Sequence, residues 1–198
     1  MSELAWDKMG GLLPAVVQDA DTLQVLMLGY MNREALEATR ATRTVTFFSR
    51  SKNRLWTKGE TSGNVLELVE LTEDCDADAL LVLARPKGPT CHRGTVSCFS
   101  EGLAPGVGFL GHLDRLVAER ARTLPEGSYT TKLLQEPLTR AAQKVGEEGV
   151  ETVVAALGQD DAALQGEAAD LLFHLLVLLR KRGLGLDAVM RTLASRHR

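Results

Sequence analysis

The chain has 198 residues, with 26 acidic and 23 basic side chains, 44% hydrophobic and 5% aromatic content, and three cysteines. That length suits one large domain or two small ones, and the near-average composition excludes disordered, fibrous and mucin-like classes. A net charge of −3 offers no basic field to a phosphate backbone, so no nucleic-acid partner is expected. No apolar run is expected to reach the roughly 20 residues of a membrane span. Residues 1–8 lack the basic and apolar regions of a secretion signal, so a soluble, cytoplasmic protein is expected.

In chain order, short apolar or β-branched runs predict strands at 13–17, 23–28, 44–48, 65–71 and 79–83. One helix interrupts them, with Asn32 capping residues 33–38. Residues 101–108 hold three glycines and a proline and mark a break. Beyond it the period becomes helical. Phe109, Leu113, Leu116 and Val117 recur at threes and fours, and long amphipathic helices are predicted over 132–157 and 162–182, then a last one from Asp187. Gly158 as a stop and Asp161 as an N-cap leave a tight turn, which makes the two long helices antiparallel. The expected architecture is two domains: a β-rich α+β metal-binding domain over 1–104 and an all-α bundle over 105–198.

All three cysteines, Cys75, Cys91 and Cys98, lie in the first half. An odd count in a reducing compartment disfavours disulfides. Cys75 sits within Asp74-Cys75-Asp76-Ala77-Asp78, where an extended chain would point the three aspartates to one face. Three carboxylates so close repel one another unless a hard cation such as Mg²⁺ or Ca²⁺ lies among them. An EF-hand loop is excluded by Ala79 and Arg85 at the positions of its glycine and bidentate glutamate. A thiolate set with a position open to water has the form of a catalytic zinc site. Spacing alone leaves that reading level with three buried small hydrophobes.

Four motifs in order, Phe48-Ser49-Arg50-Ser51, Leu55-Trp56-Thr57-Lys58-Gly59-Glu60-Thr61-Ser62-Gly63-Asn64, the aspartate cluster, and Gly88-Pro89-Thr90-Cys91-His92-Arg93-Gly94 with Ser97-Cys98-Phe99, closely resemble phosphoribosyl-AMP cyclohydrolase. The resemblance implies a histidine-biosynthesis enzyme in which Cys75, Cys91 and Cys98 bind Zn²⁺ and Asp74, Asp76 and Asp78 bind Mg²⁺. It also implies a homodimer with the zinc site shared between chains. Ring opening between N1 and C6 of adenine needs a nucleophile that zinc-bound water can supply. His92 is the candidate for proton transfer. Ser49, Arg50, Trp56, Lys58, Gly59, Glu60 and Ser62 are candidates for holding the phosphoribosyl group.

In the helical half, Glu148 with Glu151, and Glu167 with Asp170, each share a helix face. Counted from the turn at 1.5 Å per residue, the pairs fall at matching heights and would form a cage for divalent cations if they face each other. Ser128-Tyr129-Thr130, Lys144-Val145-Gly146-Glu147-Glu148-Gly149-Val150-Glu151 and Glu167-Ala168-Ala169-Asp170 followed by Leu171-Leu172-Phe173-His174 resemble phosphoribosyl-ATP pyrophosphohydrolase and, more distantly, the MazG-type helical hydrolases. Pro137 departs from the glycine expected there. The resemblance implies Mg²⁺-assisted release of pyrophosphate, with Glu148 and Glu151 in the chemistry and Lys132 and Lys144 as phosphate contacts. The two resemblances agree, because the product of the second half is the substrate of the first. Together they predict a fused hydrolase acting on phosphoribosyl-ATP and then phosphoribosyl-AMP.

Overall fold

The computed structural model describes residues 4–104 and 106–197. Pro105, inside the predicted break, lies outside the described residues, as do residues 1–3 of the N-terminal reading. The chain divides into two compact units, Met1–Phe109 and Leu110–Arg198.

In the first unit β1 (Leu13–Asp19), β2 (Val25–Met31), β5 (Leu66–Glu73) and β6 (Leu80–Pro86) form a four-stranded sheet in the order β2-β1-β6-β5. β1 runs parallel to β6 and antiparallel to β2, while β5 and β6 are antiparallel. A hairpin of β3 (Thr46–Ser49) and β4 (Arg54–Thr57) stands apart from that sheet. Period-2 alternation puts Leu13, Ala15 and Val17 of β1 in the core beside Leu80, Val82 and Ala84 of β6. Ala35 and Leu36 of α1 (Arg33–Thr42) close over them, with Phe47 of β3. Each fully buried aliphatic there contributes about 1.5–3 kcal/mol. Asn32 caps α1 as expected, its side chain accepting from the Ala35 N–H at 2.8 Å.

β4 is absent from the sequence reading. Its four residues include Arg54 and Thr57, so no apolar run marks it, and it is a strand because Thr46–Ser49 pairs with it. The 23–28 run also shifts. Leu23 adopts a left-handed φ of 60° in the turn, and β2 starts at Val25.

In the second unit α2 (Gly108–Thr123), α3 (Tyr129–Gln135), α4 (Leu138–Gly158), α5 (Asp161–Lys181) and α6 (Leu186–Arg196) follow one another, with α2 beginning just inside the first. The single helix expected over 132–157 is two. Pro137 has no N–H to donate and lies between α3 and α4. Lys181 caps the exposed end of α3, its Nζ donating to the carbonyls of Leu134 at 2.6 Å and Glu136 at 2.5 Å. The N-cap of α5 is Asp160 rather than Asp161; it accepts from the Ala163 N–H at 2.9 Å, and Asp161 is already helical.

The core of this unit is small, built on Val117, Leu133, Leu176 and Val177. Along α4 a stripe stays uncovered: Val150 is 65% exposed, Val153 57%, Val154 52% and Leu157 85%. Contrary to expectation, α5 is by length and composition apolar enough to cross a membrane, with a mean hydropathy of 1.5 over its most apolar window. Glu167 and Asp170 interrupt that helix, so no unbroken apolar run reaches the length of a span, yet its mean hydropathy stays high.

Candidate functional site

The aspartates of the first unit converge, but through a turn rather than an extended strand. Ala77 has a left-handed φ of 59°, its N–H donates to the Asp74 carbonyl, and the Asp74 N–H donates to Ala79 across the loop. Carboxylate oxygens of Asp74, Asp76 and Asp78 lie within 4.8 Å of one another. Asp74 is tied to the loop by the N–H groups of Asp78 and Ala79 at 2.9 and 3.0 Å. Lys8, which the sequence reading missed, reaches back to this group. Its Nζ lies 2.5 Å from Asp76 and also pairs with Asp78, which holds the Asp76 carboxyl below its usual range. A solitary lysine 66 to 70 residues from the aspartates leaves no sequence signal of such a pairing.

Cys91 is buried, and Cys75 and Cys98 are exposed. Cys91 and Cys98 interact, whereas the three sulfurs do not gather into one cluster among the described residues. The Arg93 N–H and then the Thr95 hydroxyl hold the Cys91 thiol below its usual value, so it ionises readily. Although the residue is exposed, partial desolvation of its thiol, and then the neighbouring Cys91, pushes Cys98 up. His92 is exposed, with Nδ1 3.9 Å from Cys91 Sγ. Beside them the Thr90 hydroxyl is buried with no hydrogen-bond partner among the described residues.

The loop after β4 brings Lys58 to the cysteine pair. Its side chain is buried, its Nζ donates to the Asn64 carbonyl at 3.1 Å, and burial lowers its pKa against the opposing effect of Cys98 and Cys91. Gly59 has a φ of 85°, and a Cβ on it would lie 2.5 Å from the Asn64 backbone, so only glycine lets the loop close. Glu60 accepts from Arg54 at 2.6 Å and from the Thr57 N–H at 3.3 Å. Ser62 accepts from the Asn64 N–H at 3.3 Å, and Trp56 stacks on Phe47 with ring centres 5.7 Å apart. Ser49 lies at the end of β3, while the Arg50 guanidinium sits 3.9 Å over the Tyr30 ring.

In the second unit oxygens of Glu148, Glu151 and Glu167 lie within 4.8 Å of one another across α4 and α5. Glu148 is only 5% exposed. Lys144 bonds it at 2.6 Å and Glu147 at 3.0 Å, holding both carboxyls below their usual range. Glu151 moves the other way, raised by desolvation and then by the charges of Glu148 and Glu167. That unrelieved repulsion is what a hard divalent cation removes, and three oxygens at this spacing fit one. Asp170 is exposed and is not one of the three converging groups, though it reaches the neighbourhood of His174. His174 itself, assigned no role from sequence, is buried with Nε2 3.6 Å from Glu148. Its place one turn beyond Asp170 and two beyond Glu167 was the available signal. Lys132 is exposed and borders a cavity of about 370 Å³ between residues 124–128 and α3.

Residues 27–100 match the family phosphoribosyl-AMP cyclohydrolase, and residues 110–197 match phosphoribosyl-ATP pyrophosphohydrolase. The chain is 64% identical over 197 residues to a histidine biosynthesis bifunctional protein HisIE of Xanthomonas axonopodis pv. citri, covering all of this chain and 94% of that protein. The protein of the same name from Xylella fastidiosa strain Temecula1 is 62% identical over 198 residues, covering all of this chain and 95% of its own. That of Escherichia coli K12 is 56% identical over 195 residues, covering 98% of this chain and 96% of its own. A β-rich and a helical unit, each carrying its own family's match, and full-length relatives at this identity place the chain in the family of bifunctional histidine-biosynthesis hydrolases, which join a cyclohydrolase to a pyrophosphohydrolase.

Proposed function

We propose that the helical unit hydrolyses phosphoribosyl-ATP to phosphoribosyl-AMP and pyrophosphate, and that the β-rich unit opens the adenine ring of that product. The observation that carries the reading is the convergence of Glu148, Glu151 and Glu167 from two antiparallel helices, with Glu148 buried. In this reading Glu148, Glu151 and Glu167, with Asp170 at their edge, hold Mg²⁺, in the manner of the MazG-type bundles. Mg²⁺ held there would screen the triphosphate and orient the attacking water. Glu151 is the carboxylate assigned to accept that water's proton, and Lys144 and Lys132 meet phosphate groups of the substrate.

In the β-rich unit Cys75, Cys91 and Cys98 are the proposed Zn²⁺ ligands and Asp74, Asp76 and Asp78 the Mg²⁺ ligands. Zn²⁺ on thiolates lowers the pKa of a bound water to about 7. Cys91, already inclined to ionise, is the ligand best prepared by the chain itself. Water adds to C6, the C6–N1 bond breaks, and His92 carries the proton to the departing ring nitrogen. Lys58 and the loop through Ser62, together with Ser49, Arg50 and Trp56, hold the phosphoribosyl group.

The working form in this proposal is a cytoplasmic homodimer with the zinc site shared between chains. Two observations support a second copy. The Cys75 sulfur does not join Cys91 and Cys98 within one chain, and the uncovered apolar stripe on α4 is suited to another apolar surface. The test supplies phosphoribosyl-ATP and ordinary nucleoside triphosphates separately. Pyrophosphate from phosphoribosyl-ATP supports the assignment. Release from the ordinary triphosphates alone contradicts it.

A further inference from the structure

The cavity bordered by Tyr129, Thr131, Lys132 and Gln135 has been given no occupant so far, and only Lys132 among its lining residues has a proposed role. The Tyr129 ring stands edge-on to His174, ring centres 6.3 Å apart, and His174 lies 3.6 Å from Glu148. Tyr129 thus links the cavity to the carboxylate cluster through the buried His174.

The lining has a distinct chemistry. Tyr129 is 56% exposed although it also stacks on Phe173, so one apolar ring is left at the surface beside the cavity. Thr131 is 5% exposed, and its Oγ1 is buried without a hydrogen-bond partner among the described residues. Lys132 adds a cation and Gln135 an amide that both donates and accepts. A ring face, an amide and an ammonium together suit a phosphorylated sugar, and about 370 Å³ accommodates one.

We propose that this cavity receives the phosphorylated ribose carried on N1 of the substrate, with Lys132 on its phosphate and Tyr129 against the sugar. The proposal rests on the pyrophosphohydrolase reading above and assigns Lys132 to the substrate's distal phosphate rather than to the triphosphate. It also gives the unit a way to tell phosphoribosyl-ATP from ATP. The two share a triphosphate and differ in that extra sugar phosphate.

The test uses the full chain with both metals, following pyrophosphate release from phosphoribosyl-ATP. Ribose 5-phosphate and ATP are added separately as competing ligands to the wild type, Lys132→Met and Tyr129→Ala. In each variant KM for phosphoribosyl-ATP and the inhibition constant of ribose 5-phosphate should both rise. For Lys132→Met the rise is about 10- to 100-fold, the size of one hydrogen bond to a charged group. The inhibition constant of ATP should move less than about threefold, within the context dependence of a single lost contact. Lys132→Arg, which keeps the charge, should recover most of the loss. Equal rises for ATP and ribose 5-phosphate would make Lys132 a triphosphate contact and overturn the proposal, as would unchanged constants in both variants. If the wild type releases no pyrophosphate from phosphoribosyl-ATP, the underlying assignment fails instead. Unaltered thermal transitions establish that the variants are folded.

Discussion

The Nε2 atom of His174 on α5 lies 3.6 Å from the Glu148 carboxylate on α4, and both side chains are buried. Glu148 thus stands between a lysine on its own helix and a histidine on the next. Its position is fixed by packing before any cation arrives. His174→Leu removes one of those supports. It should destabilise the helical unit by about 1 kcal/mol and raise the Mg²⁺ concentration for half-maximal pyrophosphate release about 10- to 100-fold. Chemical denaturation and a Mg²⁺ titration measure the two effects. An unchanged Mg²⁺ requirement would show that His174 only fills space.

The two activities should separate by mutation. Cys91→Ser should abolish ring opening and lower zinc content while pyrophosphate release persists. Glu151→Gln should cut pyrophosphate release by about 100-fold or more and leave ring opening of added phosphoribosyl-AMP intact. Zinc analysis and separate assays of the two products read this out. Loss of both activities in either variant would contradict two independent sites.

Gly59→Ala combines a left-handed backbone with a Cβ placed 2.5 Å from the Asn64 backbone. It should cost the first unit about 2–4 kcal/mol, the sum of dihedral strain and overpacking. Gly63 shares the loop and a φ of 75°, but a Cβ there meets nothing within 4 Å, so Gly63→Ala should cost less. Denaturation of the two variants side by side checks the order.

Glu60 gives the loop a pH dependence. Arg54 holds its carboxyl below the usual range, so the folded chain binds that proton more weakly than the unfolded chain does. The contribution is fully present above the ordinary glutamate value of about 4.3 and is lost as pH falls through the lower folded value. Arg54→Met should therefore lower the melting temperature of the first unit near neutral pH, and the gap to wild type should narrow in acid. A gap independent of pH would assign the pair no electrostatic role.

Much of this was legible in the residues, and what was not has identifiable causes. β1, β5 and β6 are legible as short apolar runs, although β5 carries an acidic residue at every third position and fits a strand imperfectly. β4 left none, since its state comes from pairing with β3. Matched heights on α4 and α5 pair Glu151 with Glu167 and Glu148 with Asp170, and oxygens of Glu148, Glu151 and Glu167 do lie within 4.8 Å of one another. Height along a helix carries no information on rotation about it, however, so it does not show that Asp170 stands at the edge of the other three rather than among them. The aspartates were grouped correctly for the wrong reason, because the left-handed turn at Ala77 was unmarked by a glycine. Lys8 and His174 were missed as partners, one for want of any local signal and the other because only the i, i+3, i+7 stripe from Glu167 would have marked it.

The most direct test of the whole account is a single time course on phosphoribosyl-ATP with zinc and magnesium present, following pyrophosphate and ring-opened product together. Pyrophosphate should appear first, and ring-opened product should follow after a lag as phosphoribosyl-AMP accumulates. Pyrophosphate without any ring-opened product, or no pyrophosphate at all, would contradict it.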